Sequence, residues 1–171
     1  MLKIAGMALI IFSTTKIGFE YSNRLKKRLC SLKEIEKIIS IVRGEIKYRS
    51  TVLEEAFENA GNRTENEFAD YFSNISMDIK NNKCCTMKEI SRKYKDKLSV
   101  TYLSEKDKDG LVEFIGNLGY LDMEMQMANI EMYITQINEL KKESEEQIFK
   151  NCKLYRYLGV MAGIILCIII A

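Results

Sequence analysis

Histidine, proline and tryptophan are all missing from the 171 residues of this chain. Without histidine there is no imidazole to hold a metal or move a proton near neutral pH. That excludes a Ser/His/Asp site and a Cys/His pair alike. Without proline nothing breaks a helix from within, and with only nine glycines beside abundant Leu, Ile, Glu and Lys the composition points to a nearly all-helical protein. A phosphate-cradling loop is missing as well, since Gly116 and Gly119 are followed by no Lys-Ser/Thr and preceded by no strand. Five cysteines, Cys30, Cys84, Cys85, Cys152 and Cys167, contain no C-x-x-C spacing, which fits reduced thiols in a cytosolic compartment. The adjacent Cys84 and Cys85 are open to two readings, a redox or metal pair and an ordinary loop. The loop is preferred, because two thiolates without further ligands make a poor zinc site.

A basic excess is also lacking. All 24 Asp and Glu and 23 of the 26 Lys and Arg lie between Glu20 and Tyr155, so this stretch carries a formal charge of −1. A protein that replaces counterions along a phosphate backbone needs the opposite, and no nucleic-acid partner is expected. Carboxylates cluster in ELKKESEEQ (Glu139 to Gln147), where a solvated helix face is the ordinary account. The run KEISRKYKDK (Lys88 to Lys97) has two readings, a solvated surface and a face for anionic lipid or an acidic partner. No cofactor, no resident metal and no enzymatic activity are expected.

What the chain does have is two apolar ends. The first, MLKIAGMALIIFSTTKIGFE, runs from Leu2 to Phe19 and is interrupted by Lys3 and Lys16 near its two ends. The second, LYRYLGVMAGIILCIIIA, is unbroken from Leu158 to Ala171 behind Tyr155, Arg156 and Tyr157. As helices at about 1.5 Å per residue both are marginal against a hydrocarbon layer of about 30 Å. Long lysine stems and interfacial tyrosines extend their reach. The first end carries only a weak signal-peptide cleavage pattern at Ser13 to Thr15, and burial of both ends in a soluble core is the other alternative. Charge decides for the membrane. NRLKKR follows the first end, and Lys150, Lys153 and Arg156 precede or enter the second, so the positive-inside rule places the middle in the cytosol and both termini across the bilayer. The expected division is a transmembrane helix at 1–22, a cytosolic helical bundle at 23–153 and a second transmembrane helix at 154–171. Two spans bind the middle permanently, where one acyl chain would not.

Within the middle, Leu25, Leu29, Leu32, Ile35, Ile39, Val42 and Ile46 are spaced 4, 3, 3, 4, 3 and 4, one face of a helix that continues from the first apolar end without a break. Four Ser/Thr-x-x-Asp/Glu signals then predict helix starts at Thr51 with Glu54, Thr64 with Glu67, Thr86 with Glu89, and Ser104 with Asp107. The last helix is expected from Asp122, carrying Met123, Met127, Ile130, Ile134, Ile137 and Leu140 inward. Four methionines, Met123, Met125, Met127 and Met132, read as adaptable core or interface packing. The expected architecture is an all-α antiparallel helical bundle with N- and C-terminal transmembrane helices.

Three stretches in order, MLKIAGMALIIFSTTKIGFE, EIKYRSTVLEEAF (Glu45 to Phe57) and LGYLDMEMQ (Leu118 to Gln126), resemble the stage III sporulation protein AB family of endospore-forming bacteria. One departure is Val52, where the family pattern has Pro in a Thr-Pro-Leu sequence. The resemblance implies a component of a secretion-like channel between mother cell and forespore. Its soluble region is similar to the cytoplasmic helical domains of type II secretion F proteins and their pilus counterparts. It also implies a place in the mother-cell membrane facing the forespore. The partners implied are a secretion-type ATPase, other sporulation channel subunits, membrane lipid and further copies of the chain. Matched to the family pattern are Glu45, Tyr48, Leu53, Glu55, Ala56, Leu118, Gly119, Asp122 and Gln126. Each has a role in partner binding or fold maintenance, with Gly119 expected to allow the backbone reversal before Asp122 caps the last helix. A membrane-tethered regulator or receptor-like module outside any transport machine is the alternative.

Overall fold

The computed structural model describes the backbone of residues 2–49, 51–64, 68–81, 85–119 and 122–170, and side chains from Phe12 to Lys150 within these ranges together with Met161. Every described element is helical: α1 (Leu2–Arg49), α2 (Leu53–Asn62), α3 (Ala69–Asn81), α4 (Met87–Lys93), a 3-10 segment (Lys95–Val100), α5 (Glu105–Leu118) and α6 (Met123–Ile170). The chain forms an all-α helical bundle. Two compact units divide it, Met1–Leu29 with Lys142–Ala171, and Cys30–Lys141. Among the described residues no helix is long and apolar enough to cross a membrane. The expected spans at 1–22 and 154–171 place most of their apolar residues outside the described side chains.

The second unit holds the core. Along α1, Leu32, Ile35, Ile38, Ile39, Val42 and Ile46 are buried; Ile38 joins the periodic stripe, while its first two members, Leu25 and Leu29, are half-buried. Each such side chain removed from water contributes roughly 1.5–3 kcal/mol. Against this core lie two antiparallel helical hairpins. In α2 and α3, Phe57 and Phe72 meet with ring centroids 5.8 Å apart, and Tyr71 meets Phe72 edge-on at 5.4 Å. Gly61 lets the helices approach, since a Cβ there would lie 2.8 Å from Ser73 Oγ. In α4 and α5 the approach is closer still. A Cβ on Gly116 would stand 3.1 Å from Lys88 Cα, and one on Gly119 would overlap the Met87 side chain.

Hydroxyls tie the hairpins together. Tyr71 Oη donates to Ser91 O at 3.4 Å, and Ser91 Oγ lies 3.0 Å from Val112 O and 3.2 Å from Lys88 O, its single proton shared between them. Burial pushes the Tyr71 phenol far above its usual value of 10, so it remains a donor at any ordinary pH. Tyr133 of α6 stacks on Phe114 of α5 at 4.1 Å and an interplanar angle of 8°. Tyr133 is not a member of the apolar stripe expected along α6.

Two of the four helix starts are as expected. Thr86 accepts from Glu89 N–H while Glu89 accepts from Thr86 N–H, and Ser104 and Asp107 reciprocate in the same way. Of the other two, the first is a correction and the second lies partly outside the described residues. Helix α2 starts after Val52, with no side-chain cap, so Thr51 and Glu54 form no box. The Thr64 hydroxyl donates to Ala60 O, a bond back into α2 that leaves its lone pairs able to accept. Its expected partner Glu67 lies outside the described residues. Of the methionines, Met127 packs partly against the core, Met123 of the expected stripe is instead 49 % exposed, and Met125 and Met132 are 55 and 66 % exposed.

In the first unit α1 buries Gly18 and Ser22, four residues apart, and Arg28 Nη1 donates to Ser144 Oγ at 3.2 Å. Phe12, Ile17 and Phe149 are 70, 66 and 81 % exposed, and Phe19 and Tyr21 are 49 % exposed.

Candidate interaction surface

The segment EIKYRSTVLEEAF spans the junction of α1 and α2, and the fold separates its members by depth. Glu45 is 4 % exposed. A carboxylate at that depth is costly unless donors surround it, and here they do. Asn59 Nδ2 donates at 3.1 Å, Arg49 Nη1 at 3.3 and 3.4 Å to the two oxygens, and Arg63 Nη2 pairs at 3.3 Å. Both guanidinium groups sit at the rim, 63 and 52 % exposed. Glu45 therefore joins the last turn of α1 to both the body and the end of α2. Leu53 packs on the core from its edge, and Ala56 is fully buried. Tyr48, by contrast, is 80 % exposed, with Lys47 Nζ 5.7 Å from its ring centroid in cation–π range. Glu55 is exposed.

The segment LGYLDMEMQ spans the junction of α5 and α6. Leu118 is fully buried, and its carbonyl, one of those a helix leaves unpaired at its end, accepts from Gln126 Nε2 at 3.0 Å. Asp122 Oδ1 accepts from Met125 N–H at 2.8 Å, which caps α6 as the sequence predicts. Gly119 differs in its reason. Its φ of −70° and ψ of −15° are right-handed, open to any residue. Glycine is needed there because Met87 occupies the space a side chain would take.

Of the nine residues matched to the family pattern, Glu45 gathers α1 and α2, and Leu118, Asp122 and Gln126 gather α5 and α6. Tyr48 and Glu55 are left facing outward. Sequence reasoning missed Arg49, Asn59 and Arg63. Arg49, four residues after Glu45 on the same helix, is an ordinary i,i+4 partner and could have been found. Asn59 and Arg63 reach Glu45 only through the fold.

The basic run Lys88 to Lys97 is partly neutralised. Lys93 pairs with Asp78 at 2.7 Å, and Lys95 with Asp109 at 2.6 Å and Glu105 at 3.4 Å. Hydrogen bonds to these carboxylates, led by Asp78 and Asp109, raise the two ammonium groups above the usual lysine value. Lys88, Arg92 and Lys97 are exposed. Beside them a hollow of ≈ 580 Å³ is lined by Lys88, Arg92, Lys95, Asp109, Val112 and Glu113, a mixture of signs that selects for neither. Cys30 and Cys85 are free, exposed thiols, while Cys84 lies outside the described residues. Among the described residues no three Cys, Asp or Glu stand together as a metal-holding group.

The sequence profile of the stage III sporulation protein AB family matches residues 3–171. The chain belongs to the stage III sporulation protein AB family. Stage III sporulation protein AB of Bacillus subtilis (strain 168) is 27 % identical to it over 173 residues, covering 99 % of each chain. No solved structure matches it. Membership in this sporulation family rests on the whole length, both junctions and both apolar ends included.

Proposed function

We propose that the chain is a membrane-anchored, non-catalytic platform subunit of a secretion-like channel between mother cell and forespore. Its central helices lie in the mother-cell cytosol and dock a secretion-type ATPase with other channel subunits. The observation that carries the anchoring is the surface of the first unit. Beside the apolar ends, Phe12, Phe19, Tyr21 and Phe149 stand exposed among exposed Lys16, Arg24, Lys26, Lys27 and Lys150. Aromatic rings and cations at the inner ends of apolar segments are what a lipid–water interface selects. The buried pair Gly18 and Ser22 gives α1 the small-residue face that helices use to pack within a membrane.

Membership in a sporulation family supports the cellular setting. For docking, the support is a division of labour at the α1–α2 junction: Glu45 is committed to internal bonds, whereas Tyr48 and Glu55 are free to meet a partner. A reporter fused after Ala171 is expected to behave as external, and one inserted at Asn82 as cytosolic. An exported reporter at Asn82 would overturn the topology and with it the platform. Co-purification from mild detergent should recover an ATPase with other channel subunits. Recovery of a single soluble partner would favour a membrane-tethered regulator instead.

A further inference from the structure

Helix α6 has a second face that the core does not use. From Asp122 to Leu140 the sequence DMEMQMANIEMYITQINEL contains four acidic residues and neither Lys nor Arg. Ile130, Tyr133 and Ile137 point inward and are buried. On the opposite side Met125, Ala128 and Met132 follow one another at steps of 3 and 4, all exposed. They form a row along the helix axis, the spacing that a second helix fills by ridge-into-groove packing. Glu124 and Glu131, seven residues apart, border one side of that row, and Glu139 continues it. None of these three carboxylates has an ion-pair partner among the described residues.

A helix face built only for solvent would carry Lys, Glu and Gln at these positions. Methionine there is unusual in a specific way. Unbranched and polarizable, it moulds to another apolar surface better than Leu or Ile does. An apolar row bordered by uncompensated acid repels nucleic acid and anionic lipid headgroups alike. The same charge attracts a cationic partner and disfavours a neutral or acidic one. We propose that the Met125–Ala128–Met132 row, with Glu124, Glu131 and Glu139 beside it, docks a basic amphipathic α-helix of another protein. The partner helix lays apolar residues at i, i+3, i+4 and i+7 on the methionines and turns Lys or Arg toward the glutamates. This deepens the platform by naming a surface and the chemistry of what it holds, and it rests on the chain working through protein contacts. It does not depend on which side of the membrane carries the bundle.

The test uses the full chain in cells that make it, with p-benzoylphenylalanine in place of Met132 as a photo-crosslinking probe, or in place of the exposed Met77 on α3 as control. Adducts are digested and the linked peptide is sequenced by mass spectrometry. The expected result is a segment of another protein with helical apolar periodicity and a net positive charge, formed from position 132 and not from position 77. Replacing Glu124→Lys together with Glu131→Lys should lower its yield about tenfold or more, and Glu124→Gln with Glu131→Gln should lower it less. Both pairs are solvent-facing, so unchanged helical circular dichroism will show that the fold survives. Four outcomes would each overturn the proposal: adducts to lipid alone, to a second copy of this chain, to an acidic or uncharged segment, or yields indifferent to charge reversal. The reporter at Asn82 tests the platform separately, so either idea can fail while the other stands.

Discussion

The two hairpins of the second unit reach the same end by different chemistry. In α2 and α3 the helices are joined by aromatic packing at Phe57 and Phe72 and tied to α1 through Glu45, and α2 starts with no side-chain cap. In α4 and α5 both starts are closed by reciprocal capping boxes, and the contact between helices is made by backbone brought close at Gly116 and Gly119. Helix α4 has only seven residues, too short to persist by propensity. It needs its cap and the close backbone of its neighbour. Helix α2, clamped by a fully buried ring and a buried carboxylate, does without one.

That contrast is broken most directly at the glycines. Gly119→Ala should cost about 1–3 kcal/mol in denaturant unfolding of the full chain, because the new methyl meets the Met87 Cβ beside the backbone, which has no rotamer to escape into. Gly61→Ala should cost less, since its nearest neighbour is the Ser73 hydroxyl at 2.8 Å, the movable end of a side chain. Gly110→Ala meets nothing within 4 Å and should stabilise α5 by about 0.5–1 kcal/mol through lost chain entropy. Equal losses at Gly61 and Gly119 would show that the hairpins are not packed differently after all.

This difference also marks where the sequence was readable. The stripe from Leu32 to Ile46, the boxes at Thr86 and Ser104, and the Asp122 cap are contacts within one element or one turn, and spacing alone specifies them. Thr51 and Thr64 carry the same pattern, yet the preceding helix ends within a few residues of each. Thr51 N–H is bonded to Glu45 O, so the Glu54 carboxylate finds no donor there to complete a box, and the Thr64 hydroxyl is bonded back into α2. The close approach of Gly119 to Met87 and the grouping of Asn59 and Arg63 around Glu45 depend on residues far apart in the chain or on different helices. No periodicity encodes them. For the methionines of α6 the sequence leaves core and interface packing both open, because composition reports an apolar residue without saying which way it faces. Register against Ile130 and Ile137 puts Met125 and Met132 on the outer side.

The caps supply the next break in size. Thr86→Ala and Ser104→Ala should each cost about 1 kcal/mol, whereas Thr51→Ala should stay within a few tenths, because Thr51 caps nothing. Val52→Pro extends the comparison in the other direction. Val52 already has φ −65° and ψ 151°, the dihedrals proline prefers, so the replacement should stabilise the α2 start by about 0.4–1 kcal/mol. Denaturant midpoints for the four variants check the set, and a loss at Thr51 as large as that at Ser104 would restore the capping role the structure denies it.

The smallest expected effect is electrostatic and confined to the second hairpin. Hydrogen bonds from Thr86, first its backbone N–H and then its hydroxyl, hold the Glu89 carboxyl below the usual 4.5. A carboxyl depressed on folding contributes stability that is present above that usual value and is lost as pH falls through the folded one. The stabilisation is therefore whole at neutral pH and fades below about pH 4.5. Because Glu89 is exposed, the slope should be shallow and should flatten further with added salt. Glu89→Gln can still accept from Thr86 N–H but cannot ionise. Its unfolding midpoint should fall less than the parent's between neutral and acid pH, and identical acid slopes would mean that the box at α4 works without its charge.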